Sequence, residues 1–69
     1  MQMPTITLNG TPREVAASDT VASLLASIGL DMRKVAVERN EAIVPRSTYA
    51  QTPLAHGDTL EIVHFIGGG

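Results

Sequence analysis

The residues of this sequence with the clearest chemical potential are its last three, Gly67, Gly68 and Gly69. Glycine has no Cβ, so such a segment can pass through a channel that is too narrow for any side chain. The segment presents one reactive group, the α-carboxylate of Gly69. Chain ends are often frayed and carry no function, so the glycines alone are a weak signal. The remaining sequence must therefore indicate what would position such a tail.

Other combinations of reactive residues do not predict a site. His56 and Asp58 lie close in sequence, but no Gly-x-Ser-x-Gly turn is present to hold a serine nucleophile, and His56-Gly57-Asp58 is typical of a turn. His56 and His64 lie on different predicted elements without a third ligand, which argues against zinc. The final glycines do not lead into a helix, so they are not a nucleotide-binding loop. We expect a chain that has no catalytic machinery of its own and binds no metal or cofactor.

The composition is typical of one small globular domain with an aliphatic core. The chain has 69 residues, of which 43% are hydrophobic and 17% charged, and it has no cysteine to form a stabilising disulfide. Its net charge of −2 and its scattered cations argue against a nucleic-acid partner. No apolar run is long enough to span a membrane, and the first residues do not resemble a secretory signal. These features predict a cytoplasmic location.

The first half of the sequence predicts a hairpin followed by a helix. Polar and apolar residues alternate over Thr5–Asn9, which predicts a strand, and Asn9-Gly10 predicts a tight turn into a second strand near Pro12–Ala16. A helix of about three turns should follow, because apolar residues recur there at helical spacing. The apolar stripe of this helix would consist of Val21, Leu24, Leu25 and Ile28. Three residues could cap its N-terminus, namely Ser18, Asp19 and Thr20, and Gly29 should end it.

The second half predicts three more strands. Val35–Arg39 and Ala42–Val44 have strand character, and Pro45 should end the second of them at a sheet edge. Arg46–Ala50 could form one helical turn capped by Ser47. Thr59–Ile66 is the last and longest predicted strand.

This order of elements predicts an α+β domain of the β-grasp (ubiquitin-like) class over residues 1–66. It would contain a mixed sheet of four to five strands with one helix packed across it, and residues 67–69 would form a flexible glycine tail. The first and last strands would be parallel neighbours, so the last strand would lie in the middle of the sheet. A central last strand would anchor the tail at its base.

Alternation along the last strand also predicts a partner-binding surface. If Leu60 and Ile62 face the helix, Val63 and Phe65 point away from it. Exposed apolar residues are common on protein surfaces, but Phe65 lies only two residues before the first glycine of the tail. We therefore predict that Val63, Phe65 and Ile66 contact a partner.

The whole chain resembles the bacterial sulfur carrier proteins of thiamine biosynthesis, the ThiS family. Singly the matching segments are weak signals, but their order and the terminal glycines make the resemblance specific. Relatives often have an acidic residue where this chain has Ser23, which affects only the predicted helix cap. The matching segments are Leu8-Asn9-Gly10, Thr20-Val21-Ala22 with Leu24-Leu25, Val35-Ala36-Val37-Glu38, Ile43-Val44-Pro45-Arg46-Ser47, His56-Gly57-Asp58, Leu60-Glu61-Ile62-Val63 and the glycines.

The resemblance implies a function for the tail. An adenylating, E1-like activating enzyme would use ATP and magnesium to adenylate the carboxylate of Gly69. A desulfurase or rhodanese-like protein would supply sulfur to form a thiocarboxylate, which thiazole synthase would consume. Gly67 and Gly68 would thread the partner's active site. Two alternatives stay open: a carrier of the molybdopterin synthase small-subunit type, and a ubiquitin-like modifier or interaction module.

Overall fold

The computed structural model describes residues 3–65, which form a five-stranded sheet and one α-helix. Ile66 and the glycine tail at 67–69 lie outside the described residues, so the predicted boundary at residue 66 stays a prediction. Short 3₁₀ segments follow the helix, at Met32–Lys34, and the fourth strand, at Arg46–Gln51. The regular elements are β1 (Thr5–Leu8), β2 (Thr11–Glu14), α1 (Val21–Ser27), β3 (Val35–Arg39), β4 (Ala42–Val44) and β5 (Thr59–His64).

The strands are arranged in the order β2-β1-β5-β3-β4. β1 and β5 are parallel, and the other neighbouring pairs are antiparallel. The last strand therefore lies in the middle of a mixed sheet, which confirms the predicted β-grasp fold. β4 forms an edge, as Pro45 predicted, because proline has no N–H to donate to a further strand.

The core lies between one face of the sheet and α1. The helix contributes Val21, Leu24 and Leu25, as its apolar spacing predicted, whereas Ile28 is only half-buried. Tyr49, in the second 3₁₀ segment, is also buried and its hydroxyl donates to the carbonyl of Val35 at 3.4 Å. The other buried apolar residues are Ile6, Val15, Val35, Val37, Val44, Leu54 and Leu60.

The helix begins at a reciprocal cap between Thr20 and Ser23. The hydroxyl of Thr20 accepts from the Ser23 amide at 3.2 Å, and the hydroxyl of Ser23 accepts from the Thr20 amide at 2.8 Å. Ser23 therefore completes the capping box that its lack of a carboxylate had put in doubt. The neighbouring Asp19 supports this cap by accepting from the Ser23 hydroxyl at 2.8 Å.

Several predicted boundaries were wrong by a few residues. The helix has seven residues rather than about three turns, because Ile28 already caps it and Gly29 takes a left-handed φ of 77°. β2 ends at Glu14. The amide of the buried Val15 still donates to the carbonyl of Pro4 at 2.9 Å, but proline has no N–H to return a bond. Ser47 does not cap the 3₁₀ segment, which begins after Pro45 without a side-chain cap. β5 ends at His64.

The cap predicts a specific loss of stability in a Thr20→Ala variant. Removing the hydroxyl leaves the Ser23 amide without its acceptor, which should lower the free energy of unfolding by about 1 kcal/mol. For a domain of this size that corresponds to a decrease in Tm of about 4–8 °C. Ser18→Ala is the matched control, because Ser18 is exposed in the turn just before the cap. Equal melting temperatures for the two variants would contradict the role of Thr20.

Candidate functional site

Backbone hydrogen bonds fix β5 on both of its edges, up to Leu60 on the β1 edge and up to Phe65 on the β3 edge. On the β1 edge, the Asn9 amide donates to the carbonyl of Leu60 at 2.9 Å. On the β3 edge, His64 lies opposite Val35, and the Phe65 amide donates to the carbonyl of Lys34 at 2.9 Å. The segment that leads into the predicted tail is therefore attached to the sheet up to Phe65, the last described residue.

Two asparagine side chains extend this pairing where the neighbouring strands turn away. In the Asn9 side chain, Oδ1 accepts from the Ile62 N–H at 2.8 Å and Nδ2 donates to the Ile62 carbonyl at 3.3 Å. The Asn40 side chain accepts from the Thr59 N–H at 2.9 Å at the other end of β5. Both asparagines follow a strand and have a left-handed φ, 49° for Asn9 and 52° for Asn40, which asparagine tolerates better than most residues.

Asp58 anchors the beginning of β5 from a buried position. Its carboxylate accepts from Arg39 Nε at 2.8 Å, from Asn40 Nδ2 at 3.0 Å and from the Ala55 amide at 2.8 Å. Burial by itself raises the pKa of Asp58, but these hydrogen bonds and the Arg39 charge outweigh it and leave that pKa below its ordinary value. The carboxylate is therefore held in its ionised form as part of the fold.

The predicted turn at His56-Gly57-Asp58 is present, and it also attaches β5 to the start of β1. His56 Nδ1 accepts from the Thr5 amide at 3.0 Å, and the Gly57 amide donates to the carbonyl of Thr5 at 2.9 Å. Gly57 has a φ of 89°, a conformation that favours glycine. These contacts are structural, and no described group of three or more His, Cys, Asp or Glu could hold a metal ion.

Val63 and Phe65 form an exposed apolar surface on the side of the sheet that faces away from α1. Val63 is 57% exposed and Phe65 48% exposed, whereas Leu60 is fully buried and Ile62 half-buried. The predicted alternation is thus confirmed, and we call Val63 and Phe65 the outer patch. Ile66, predicted to belong to the same surface, lies outside the described residues together with Gly67, Gly68 and Gly69.

The outer patch borders a row of acidic and apolar residues on the same face. Glu61 on β5 lies opposite Glu38 on β3, and Glu38 lies opposite Ile43 on β4, whose side chain is 73% exposed. Like charges opposite each other on neighbouring strands do not stabilise a sheet.

Among the described residues, no helix is both long enough and apolar enough to cross a bilayer.

Sequence reasoning predicted the outward direction of Val63 and Phe65 correctly and missed the residues that hold β5 from both edges. Asn9 was interpreted only as a turn residue and Asp58 as part of a plain turn. The available signal was the position of Asn9 and Asn40, each directly after a strand that borders β5. An asparagine at such a position can bond a backbone that its own strand no longer reaches.

The lowered pKa of Asp58 predicts a pH-dependent difference between the wild type and Asp58→Asn. A carboxylate whose folded-state pKa is lowered stabilises the fold above its unfolded pKa of about 4, and this contribution declines as the pH falls through the folded-state value. Asp58→Asn should therefore lower the free energy of unfolding by about 2 kcal/mol at pH 7. Denaturant unfolding should show this difference shrinking below a pH of about 4.

Glu14→Gln is the control for the change in net charge, because Glu14 is exposed on the edge strand β2. It should leave the free energy of unfolding nearly unchanged at neutral pH. A difference between the wild type and Asp58→Asn that stays constant down to the acid range would contradict the role of ionised Asp58.

Comparison with known proteins identifies the chain's relatives. A family model described as the ThiS family matches residues 6–69. The sulfur carrier protein ThiS of Bacillus subtilis is 46% identical over 50 residues, which cover 72% of this chain and 76% of the relative. The crystal structure of a thiamine biosynthesis protein (ThiS) from Geobacter metallireducens matches with a TM-score of 0.79 and 34% identity, covering 94% of this chain and 99% of the other.

Two longer relatives contain a segment similar to nearly the whole chain. Proteins named thiazole synthase from Paramagnetospirillum magneticum and Magnetococcus marinus are 58% and 50% identical over 64 residues, which are 93% of this chain. The chain spans only 20% of the length of either protein. The family model, the carrier from B. subtilis and the matching fold agree, and the chain belongs to the ThiS family.

Proposed function

We propose that the chain carries sulfur as a thiocarboxylate on the carboxyl group of Gly69. An α-carboxyl group has a pKa of about 3.5, so at neutral pH it is ionised and resists nucleophilic attack. Attack of its oxygen on the α-phosphorus of ATP, with loss of pyrophosphate, would give an acyl-adenylate. An activating enzyme of the adenylating, E1-like class would bind the ATP and magnesium and carry out this step.

The adenylate makes the carbonyl carbon of Gly69 reactive towards sulfur. A persulfide on a desulfurase or rhodanese-like protein would attack this carbon, and AMP would leave with its electron pair. A thiol would then cleave the remaining sulfur–sulfur bond and leave the thiocarboxylate on the carrier. Glycine suits all these steps, because a side chain at positions 67–69 would hinder threading and attack.

The observation that carries the proposal is the central position of β5. Its backbone is bonded on both edges up to Ile62 and on the β3 side up to Phe65, two residues before the glycine segment. A partner that docks on this body would therefore find the start of the tail segment at a defined place. The outer patch lies on the same segment and could provide the docking contact.

We infer that thiazole synthase is the acceptor of the sulfur. Two relatives named thiazole synthase include a segment that matches 93% of this chain. In these relatives the carrier-like segment shares one polypeptide with the rest of the enzyme, which raises their effective concentration for each other. This chain would contact thiazole synthase through the outer patch and the tail.

The first test is the intact mass of the chain after incubation with the activating enzyme, ATP, magnesium and a sulfur donor. We expect the mass to increase by the replacement of one oxygen by sulfur, and fragmentation should place the sulfur on Gly69. A variant extended by a few residues after Gly69 should keep its Tm but gain no sulfur, because its Gly69 carboxylate is tied up in a peptide bond. Full charging of the extended variant would contradict the terminal mechanism.

The same mass measurement separates two of the alternatives, and complementation of deletion strains separates the third. A ubiquitin-like modifier would appear attached to other proteins, and an interaction module would keep its original mass. A thiocarboxylated chain that restores molybdenum cofactor synthesis but not thiazole synthesis in deletion strains would indicate the molybdopterin type of carrier instead.

A second test concerns the outer patch. Phe65→Ala should weaken binding to the activating enzyme by about tenfold in Kd or more, because a partly exposed aromatic next to the tail is a typical interface anchor. Its cost in unfolding free energy should stay below about 1 kcal/mol, since nearly half of the side chain is already exposed.

Ile43→Ala provides the matched control for Phe65→Ala. Ile43 is an exposed apolar residue on the same face of the sheet, but it lies on the edge strand β4 and away from the end of β5. Binding measured by calorimetry should be nearly unaffected by this change. If the two variants bound equally well, the outer patch would have no special role.

A further inference from the structure

The bonds of Asn9 and Asn40 to β5 form a closely matched pair with different positions along the strand. Each side chain makes two hydrogen bonds: Asn9 to the N–H and carbonyl of Ile62, and Asn40 to the Thr59 N–H and the Asp58 carboxylate. Both asparagines have left-handed backbones. Asn40 acts where β5 begins, whereas Asn9 acts three residues further along, towards the tail.

The side chain of Asn9 makes the bonds to Ile62 that the backbone of β1 would make if the strand continued past the turn. Along this edge, the Thr7 amide donates to the Asp58 carbonyl and the Asn9 amide donates to the Leu60 carbonyl. The next bond in this series would join β1 to Ile62, but the chain turns away at Asn9-Gly10. The side-chain amide of Asn9 makes this bond instead.

Beyond Ile62, the described bonds of β5 all lie on the β3 edge. Within residues 3–65, Val63 and His64 pair with β3, and the Phe65 amide donates to Lys34. A strand that is bonded on one edge has fewer restraints on its direction than a strand that is bonded on both edges. Asn9 is therefore the last restraint on the β1 edge before the tail.

We propose that Asn9 is a positioning residue for sulfur loading, because it fixes the direction in which residues 66–69 leave the sheet. This inference rests on the proposed function at Gly69. Four residues reach about 13 Å when fully extended, so a small rotation at their base moves the terminal carboxylate by ångströms. Misplacement by about 1 Å can slow a reaction on the order of a hundredfold.

Asn9→Gly and Asn40→Gly test this role with matched changes. Glycine adopts the left-handed backbone readily, so each substitution removes two side-chain bonds without straining the turn. The wild type and both variants serve as the varied substrate of the activating enzyme, and AMP formation is measured. We expect kcat for Asn9→Gly to fall by about tenfold, while KM changes less and Asn40→Gly retains the wild-type kcat.

The split between kcat and KM distinguishes positioning from a loss of stability. If Asn9 only stabilised the fold, part of the Asn9→Gly chain would be unfolded. Its apparent KM would then rise, but saturating the activating enzyme with the variant would give the wild-type kcat. In Asn9→Asp, one oxygen can still accept from the Ile62 N–H, so its kcat should fall less than that of Asn9→Gly. NMR relaxation of the His64 and Phe65 amides should show increased motion in Asn9→Gly but not in Asn40→Gly.

Equal kcat values for the two glycine variants, or equal amide motion at His64 and Phe65, would overturn the positioning role. If the activating enzyme adenylates the wild type and Asn9→Gly with the same kcat, this inference alone is overturned. A wild-type chain that the activating enzyme never adenylates would overturn the proposed function and this inference with it.

Discussion

The whole C-terminal half of this molecule depends on the pairing of β5 with β1 on one edge and with β3 on the other. The pairing with β1 is parallel and short, covering Thr7–Leu8 against Thr59–Leu60, whereas that with β3 covers five residues of each strand. Side chains make up for the short edge. Asn9 extends it towards the tail, and the turn at residues 56–58 extends it in the other direction through Thr5.

β5 and the residue that follows it supply both buried and exposed apolar side chains. Leu60 faces α1 and is fully buried, while Val63 and Phe65 lie on the opposite face and are about half exposed. Because alternation has a period of two, the register that buries Leu60 also determines that Val63 and Phe65 face outward. A slip of one residue would exchange the two faces. The buried ionised Asp58, bonded to Arg39 and Asn40, stabilises the register where β5 begins.

The sequence predicted the parts of the structure that follow local rules. The Asn9-Gly10 turn, the apolar face of α1 and the outward direction of Phe65 each follow from one segment and its periodicity. The bonds of Asn9 to Ile62 and of Asp58 to Arg39 join residues 53 and 19 positions apart, and no local pattern specifies such pairs. Thr20 was among the predicted N-caps, but the Ser23 half of the capping box was not predicted. The usual box has a carboxylate there, and in this chain a serine hydroxyl accepts from the same amide.

If the glycine tail enters a partner's active site as we propose, the energetics favour recognition through the body of the protein. Fixing residues 66–69 in an active site costs about 1–2 kcal/mol of conformational entropy per residue, so roughly 4–8 kcal/mol in total, with the glycines at the costly end. Val63 and Phe65 are already about half buried, so complete burial of their side chains contributes only about 1.5–3 kcal/mol. The outer patch alone therefore does not offset the cost of fixing the tail, and contacts with the rest of the body must contribute as well. Any restraint within the protein that limits the direction of the tail before docking reduces the entropy lost on binding.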